Sequence, residues 1–172
     1  MRKSLSERRL MNRFNLNPTD MTLSVGCQYN GFTNIEHNQW SVKMKTLTKT
    51  VQLNTDRDEV FDFLSNIENL PLWAVKFCTG VRKEGDVYMA STRKGDIFFS
   101  IHADAITGVV DMVSGPTMDS MKVWPARVMA LPNDTSLFEF TCVQYDGLPE
   151  EEFGYACQAV DDELDGLRAR FA

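Results

Sequence analysis

Residues 51–77 read VQLNTDRDEVFDFLSNIENLPLWAVKF, and the spacing of apolar side chains changes within them from strand-like to helix-like. Leu47, Val51 and Leu53 share one side of a strand, with Lys49 breaking the stripe. Thr55 then reads as a helix N-cap, with Asp58 three residues on and Asp56 in the first turn, where the helix dipole favours an anion. Val60, Phe61 and Leu64 form the buried stripe of a short helix. A second short turn over Ile67–Leu70 is expected to end at Pro71, because a proline ring disfavours helix in the residue before it. Trp73 follows, between this turn and the next strand. A bulky aromatic there either plugs a core or lines the mouth of a pocket, and its indole N–H needs a partner.

Downstream, VKFCTGVRK (75–83), VYMASTR (87–93) and DIFFSIHAD (96–104) read as strands, with turns at Gly85-Asp86 and Lys94-Gly95. In the third, Ile97, Phe99, Ile101 and Ala103 face one way, and Phe98, Ser100, His102 and Asp104 the other. GVVDMV (108–113), MKVWPARVMAL (121–131) and TSLFEFTCVQY (135–145) complete the strands, with a turn at Pro132-Asn133-Asp134. From Glu150 to Phe171 the period becomes helical: Phe153, Cys157, Val160, Leu164, Leu167 and Phe171 fall in steps of four and three. Pro149 opens this helix, Glu150, Glu151 and Glu152 sit in its positive first turn, and Arg168 and Arg170 in its negative last turn.

A chain of 172 residues is one domain's worth. Its composition is that of a globular protein, and a net charge of −6 argues against non-specific binding to nucleic acid or anionic membranes. No apolar run approaches a membrane span, and the basic N-terminus lacks the apolar stretch of a secretory signal. Cys27, Cys78, Cys142 and Cys157 are scattered, without disulfide-scaffold density or metal spacing, which points to reduced thiols and a cytoplasmic location. Residues 1–43 hold six Lys/Arg against three Asp/Glu; the rest hold twelve against twenty-one. Regular patterning begins near Met44, so 1–43 read as a poorly ordered N-terminal extension, with Met44 the natural start, and 44–172 as the domain.

His37 and His102 cannot form a helical metal pair, and phosphate loops, dinucleotide fingerprints and nucleophile elbows are absent from the sequence. His102 is expected to meet solvent. Asn133-Asp134-Thr135 fits the glycosylation triplet, without other signs of secretion. Asp111 shares one strand face with Val109 and Val113; if that face is the inner one, its carboxylate needs a partner, for which Arg127 on a neighbouring strand is available. Otherwise Val110 and Met112 point inward and Asp111 meets water. Arg127 alternates with Val123, Pro125, Met129 and Leu131, and these large apolar companions favour an inward arginine. Met89, Met112, Met118, Met121 and Met129 either fill a core or soften a pocket.

The order strand, two short helices, six strands and long C-terminal helix resembles the SRPBCC or START-like superfamily, nearest its polyketide cyclase/dehydrase-like branch. The opening residues 51–77, then GVVDMV, RVMALPNDTSLFEFT and the terminal EEEF…AVDDELDGLRARF, carry the resemblance, which covers roughly residues 46–172. It implies an α+β helix-grip fold: a curved antiparallel sheet of about seven strands wrapped on the long C-terminal helix, with two short helices after the first strand. It further implies a cavity between sheet and helix that takes a small hydrophobic or aromatic molecule of polyketide, lipid or isoprenoid kind, with no cofactor and no metal. Trp73, Phe99, Asp111, Met112, Arg127, Phe140, Phe153 and Cys157 are the expected ligand-binding residues. The oligomeric state stays open, a homodimer included. As an alternative, the family permits a cyclase or dehydratase in the same cavity, with Arg127 stabilising an enolate and Asp111 moving protons as the catalytic pair. A third option is a partner-binding module, whose acidic surface would suit a basic partner.

Overall fold

The computed structural model describes residues 44–172; the extension read over 1–43, with Cys27 and His37, lies outside the described residues. Strand β1 (Thr46–Leu53) leads into helix α1 (Arg57–Ser65), a 3₁₀ turn (Ile67–Asn69) and the short helix α2 (Leu70–Trp73). Strands β2 (Cys78–Glu84), β3 (Val87–Thr92), β4 (Gly95–Asp104), β5 (Val109–Gly115), β6 (Lys122–Trp124), β7 (Ala126–Leu131) and β8 (Thr135–Val143) follow, and helix α3 (Glu150–Arg170) closes the chain. The strands form one antiparallel sheet in the order β1-β8-β7-β5-β4-β3-β2, with β6 also on β5. First and last strands pair along their whole length, from Thr46 opposite Val143 to Leu53 opposite Ser136. This is the expected α+β helix-grip arrangement, with eight strands where the sequence pattern reads as about seven.

The eighth strand arises at Pro125, which splits the expected 121–131 strand in two. Proline has no N–H for a ladder, so it is confined to edges and breaks. Its carbonyl still accepts the Thr141 amide at 2.8 Å, while β6 pairs with β5 and β7 turns to β8. β7 meets the start of β5 beside Gly108, whose φ is +78° and where a Cβ would lie 2.1 Å from the Val128 carbonyl oxygen. Only glycine fits so close to a backbone. The β7–β8 turn forms as expected, with Asn133 and Asp134 at positive φ, a region those two residues tolerate better than most.

Two local readings shift. Asp56, not Thr55, caps α1: its Oδ1 accepts the amides of Asp58 at 2.8 Å and Glu59 at 3.2 Å, so the helix begins at Arg57. Pro71 does not end the second turn but lies in the first turn of α2, where its missing N–H would have no helical partner anyway. The next strand accordingly starts at Cys78; Phe77 and Cys78 first give their amides to the Ala74 carbonyl.

Helix α3 packs its predicted stripe on one sheet face. Leu164, Leu167 and Phe171 join Val51, Leu53, Val110, Val128 and Phe138 in the main core, and Phe153 and Cys157 meet Cys142 in a second cluster. Burying each such leucine contributes roughly 1.5–3 kcal/mol. The lysine that breaks the β1 stripe also points this way. Lys49 Nζ reaches Asp161 Oδ2 on α3 at 2.8 Å, so the interruption marks where the helix crosses β1.

Candidate functional site

The inner face of the sheet, under α3 and the α1–α2 clasp, is apolar but unevenly covered. On β1, β8, β7 and β5 its residues Val51, Leu53, Phe138, Val128 and Val110 are all at most 1% exposed. Towards β2–β4 the same face carries Val81, Ile97 and Ile101, which are only half-buried, flanked by half-buried Phe77 and Trp124. Ala90 and Phe99 on the same strands are buried, so the cover is incomplete at Val81, Ile97 and Ile101 rather than over a whole half of the face.

Six of the expected ligand-binding residues lie on this inner side. Trp73 is 5% exposed and stands edge-on to Phe138, with centroids 6.0 Å apart, so it is a core wall. Phe99 is buried against Phe77 at 5.7 Å, with planes tilted by 48°. Met112 belongs to the main core, Phe153 and Cys157 to the second cluster, and half-buried Phe140 touches both.

Asp111 and Arg127 do not join them. Val110 and Met112 are the inward residues of β5, so Asp111 turns to the outer face, opposite exposed His102 on β4. Its Oδ1 accepts the Ala126 amide at 3.0 Å, bridging the gap that Pro125 leaves in the ladder. Arg127, expected inward, is exposed on that same outer face; Nε donates to the Thr107 carbonyl at 2.8 Å and the residue pairs across β8 with Glu139. The pair is thus structural in its contacts and sits on the opposite side of the sheet from the helix. The apolar companions that favoured an inward arginine include Val123, exposed, and Met129, half-buried, on the same outer side.

The methionines divide. Met112 fills core, whereas Met118 and Met121 line a shallow pocket of about 190 Å³ with Val87, Phe98 and Ser100 at the far end of β3 and β4. Outward Phe98 and Ser100 line it together with Tyr88 and Phe99, which alternate to the inner face.

One inward ionisable group escaped the sequence reading. Glu163 on α3 is 4% exposed, and its Oε1 accepts the amides of Lys76 and Phe77, each at 2.9 Å. Burial pushes its carboxyl up to about 7, although the two amide donors pull the other way. A signal existed: position 163 is three past Val160 and four before Leu167, inside the apolar spacing. A second polar pair, Trp124 Nε1 donating to Ser114 Oγ at 3.0 Å, satisfies a half-buried indole. Two thiols are chemically quiet: burial pushes Cys78 up to about 11 and Cys142 up to about 12, so neither is a thiolate near neutral pH. Among the described residues no three His, Cys, Asp or Glu converge as metal ligands, and no helix is long and apolar enough to cross a membrane.

No family model matches the sequence, and no curated protein does. Solved structures do. The aromatase/cyclase Zhui from a Streptomyces species superposes with a TM-score of 0.56 at 13% identity, covering 74% of this chain and 93% of that one. A START superfamily protein from Mycobacterium smegmatis gives 0.52 at 12%, covering 74% and 99%. The protein XoxI from Bacillus cereus gives 0.59 at 15%, covering 73% and 94%. At such identities the likeness is one of fold, and it agrees with the element order and topology described above. The chain has the START-like, polyketide cyclase-like helix-grip fold.

Proposed function

We propose that this protein binds a small hydrophobic or aromatic molecule, of polyketide, lipid or isoprenoid kind, against the inner face of the sheet. The observation that carries this reading is the uneven cover of that face. Val81, Ile97 and Ile101, with Phe77 and Trp124, are apolar yet only half-buried, on the same face as fully buried Val51, Leu53, Val110, Val128 and Phe138. A ligand placed there would remove this surface from water, at about 25 cal/mol per Å². The shared fold supports the reading, since the aromatase/cyclase and the START superfamily protein are built on it. Fold alone does not assign a ligand; the half-buried apolar face is the surface a ligand would cover. The buried reduced thiols Cys78, Cys142 and Cys157 suit a cytoplasmic setting.

Native mass spectrometry of freshly purified protein tests it. A co-purified apolar molecule of one or a few masses is the expected result. Protein of bare mass, which also takes up no added fatty acid or polycyclic aromatic compound, would contradict it.

A further inference from the structure

The segment between α2 and β2 (residues 74–77) joins the Trp73 clasp to the edge of the sheet, and it is held to α3 by buried Glu163 and by an exposed ion pair between Lys76 and Asp162. Glu163 Oε1 accepts both the Lys76 and the Phe77 amide at 2.9 Å, the latter shared with the Ala74 carbonyl at 3.1 Å. Around this carboxyl stand three other ionisable groups. Asp162 is its neighbour on α3, Lys76 belongs to the segment itself and pairs with Asp162 at 3.3 Å, and Cys78 begins β2. Lys76 and Asp162 face each other at the surface, both exposed, and so leave the charge of Glu163 without a buried counter-ion.

We propose that Glu163 is a proton-controlled latch: neutral, it holds the 74–77 segment shut against α3; ionised, it favours an open segment in which its carboxylate reaches water. The sign follows from burial. A carboxylate that is 4% exposed loses most of its hydration, and two amide donors replace only part of it. Asp162 adds repulsion, while Cys78 stays a neutral thiol. Opening restores water to the carboxyl, so the open form binds the proton less tightly than the closed one. Between the ordinary carboxyl value of 4.5 and about 7, rising pH therefore shifts the balance towards opening, and above that the effect levels off. Within the segment Val75 is already exposed, whereas Ala74 is buried and Phe77 packs on Phe99, so opening has an apolar cost that the hydration of the ionised carboxylate must offset. As a gate to the inner face, the latch rests on the ligand-binding reading; as a latch, it does not.

Amide hydrogen exchange by NMR on the full chain, without added ligand, tests it between pH 5 and 8. After correction for the intrinsic exchange rate, protection of the Lys76 and Phe77 amides should fall by up to about tenfold per pH unit from pH 5 to 7 and then hold steady. In Glu163→Gln, which keeps a carbonyl acceptor without a charge, protection should not change with pH. The Glu163 carboxyl carbon in the wild type should titrate with the same midpoint as the loop. Protection that ignores pH, that falls equally in the variant, or that moves without the carboxyl would overturn the proposal. Should the variant fail to fold, the two wild-type titrations decide it alone. Ligand uptake plays no part in the readout, so a failed latch and a failed ligand-binding reading remain distinguishable.

Discussion

The indole of Trp73 meets the ring of Phe138 edge-on, with centroids 6.0 Å apart and planes at 87°. Phe138 is fully buried in the centre of β8, so this contact fastens the α1–α2 clasp to the middle of that strand, one in from the sheet's edge. Edge-to-face pairs add about 0.5–1.5 kcal/mol beyond the area they bury.

Truncating the wall tests its role as core. Trp73→Ala should lower stability by about 3–5 kcal/mol in denaturant unfolding, and Trp73→Phe by clearly less, because a ring still faces Phe138. A loss under about 0.5 kcal/mol in the alanine variant, typical of surface positions, would show that the clasp is not anchored there.

Asp111 and Arg127 should separate from ligand binding. Asp111→Ala strands the Ala126 amide in a buried position, at a cost of about 1–3 kcal/mol, while Asp111→Asn keeps the acceptor and most of the stability. Arg127→Met should leave the affinity for an acidic apolar probe unchanged, since its guanidinium lies on the outer face. A selective loss for acidic probes would return the arginine to the binding side.

Ser136 makes a simpler test. Its hydroxyl is buried, opposite Leu53, and has no hydrogen-bond partner. Ser136→Ala removes an unsatisfied polar atom from an apolar setting, and the melting midpoint should hold or rise, by up to about 1–2 kcal/mol in stability. A fall of similar size would mean that the hydroxyl has a partner after all.

Glu163 sets a pH dependence of global stability as well. Its carboxyl stands at about 7 in the fold against an ordinary 4.5, because burial opposes the charged form. The folded state therefore binds the proton more tightly, and its contribution is fully present below about 4.5 and lost as pH rises through about 7. Glu163→Gln should flatten that slope and exceed the wild type above pH 7 by on the order of 3 kcal/mol. Chemical denaturation at pH 5 and pH 8 measures both; a variant that is less stable than wild type at pH 8 would reverse the sign and refute the assignment.

The architecture was legible wherever one residue period persisted. Steps of four and three from Phe153 to Phe171 define α3 and its buried side directly, and alternation in 96–104 places Phe99 inward. The facing of Asp111 was not legible, because β5 is buried on both sides near its end. Val110 and Met112 meet the core, yet Val113 on the outer face is only 6% exposed. The reason lies beyond the strand: residues 116–121 fold back so closely that a Cβ on Gly115 would sit 2.7 Å from the Ser120 carbonyl oxygen. Glu163 was hidden for a related reason. A charged residue among surface acids reads as solvated, and only the distant amides of Lys76 and Phe77 explain why it is buried.

Methyl-resolved NMR during titration with a polycyclic aromatic probe tests the ligand-binding claim most directly. The inner face predicts saturable shifts at the methyls of Val81, Ile97 and Ile101, with Met118 and Met121 unchanged. Shifts confined to Met118 and Met121, or none at any probe concentration, would contradict it.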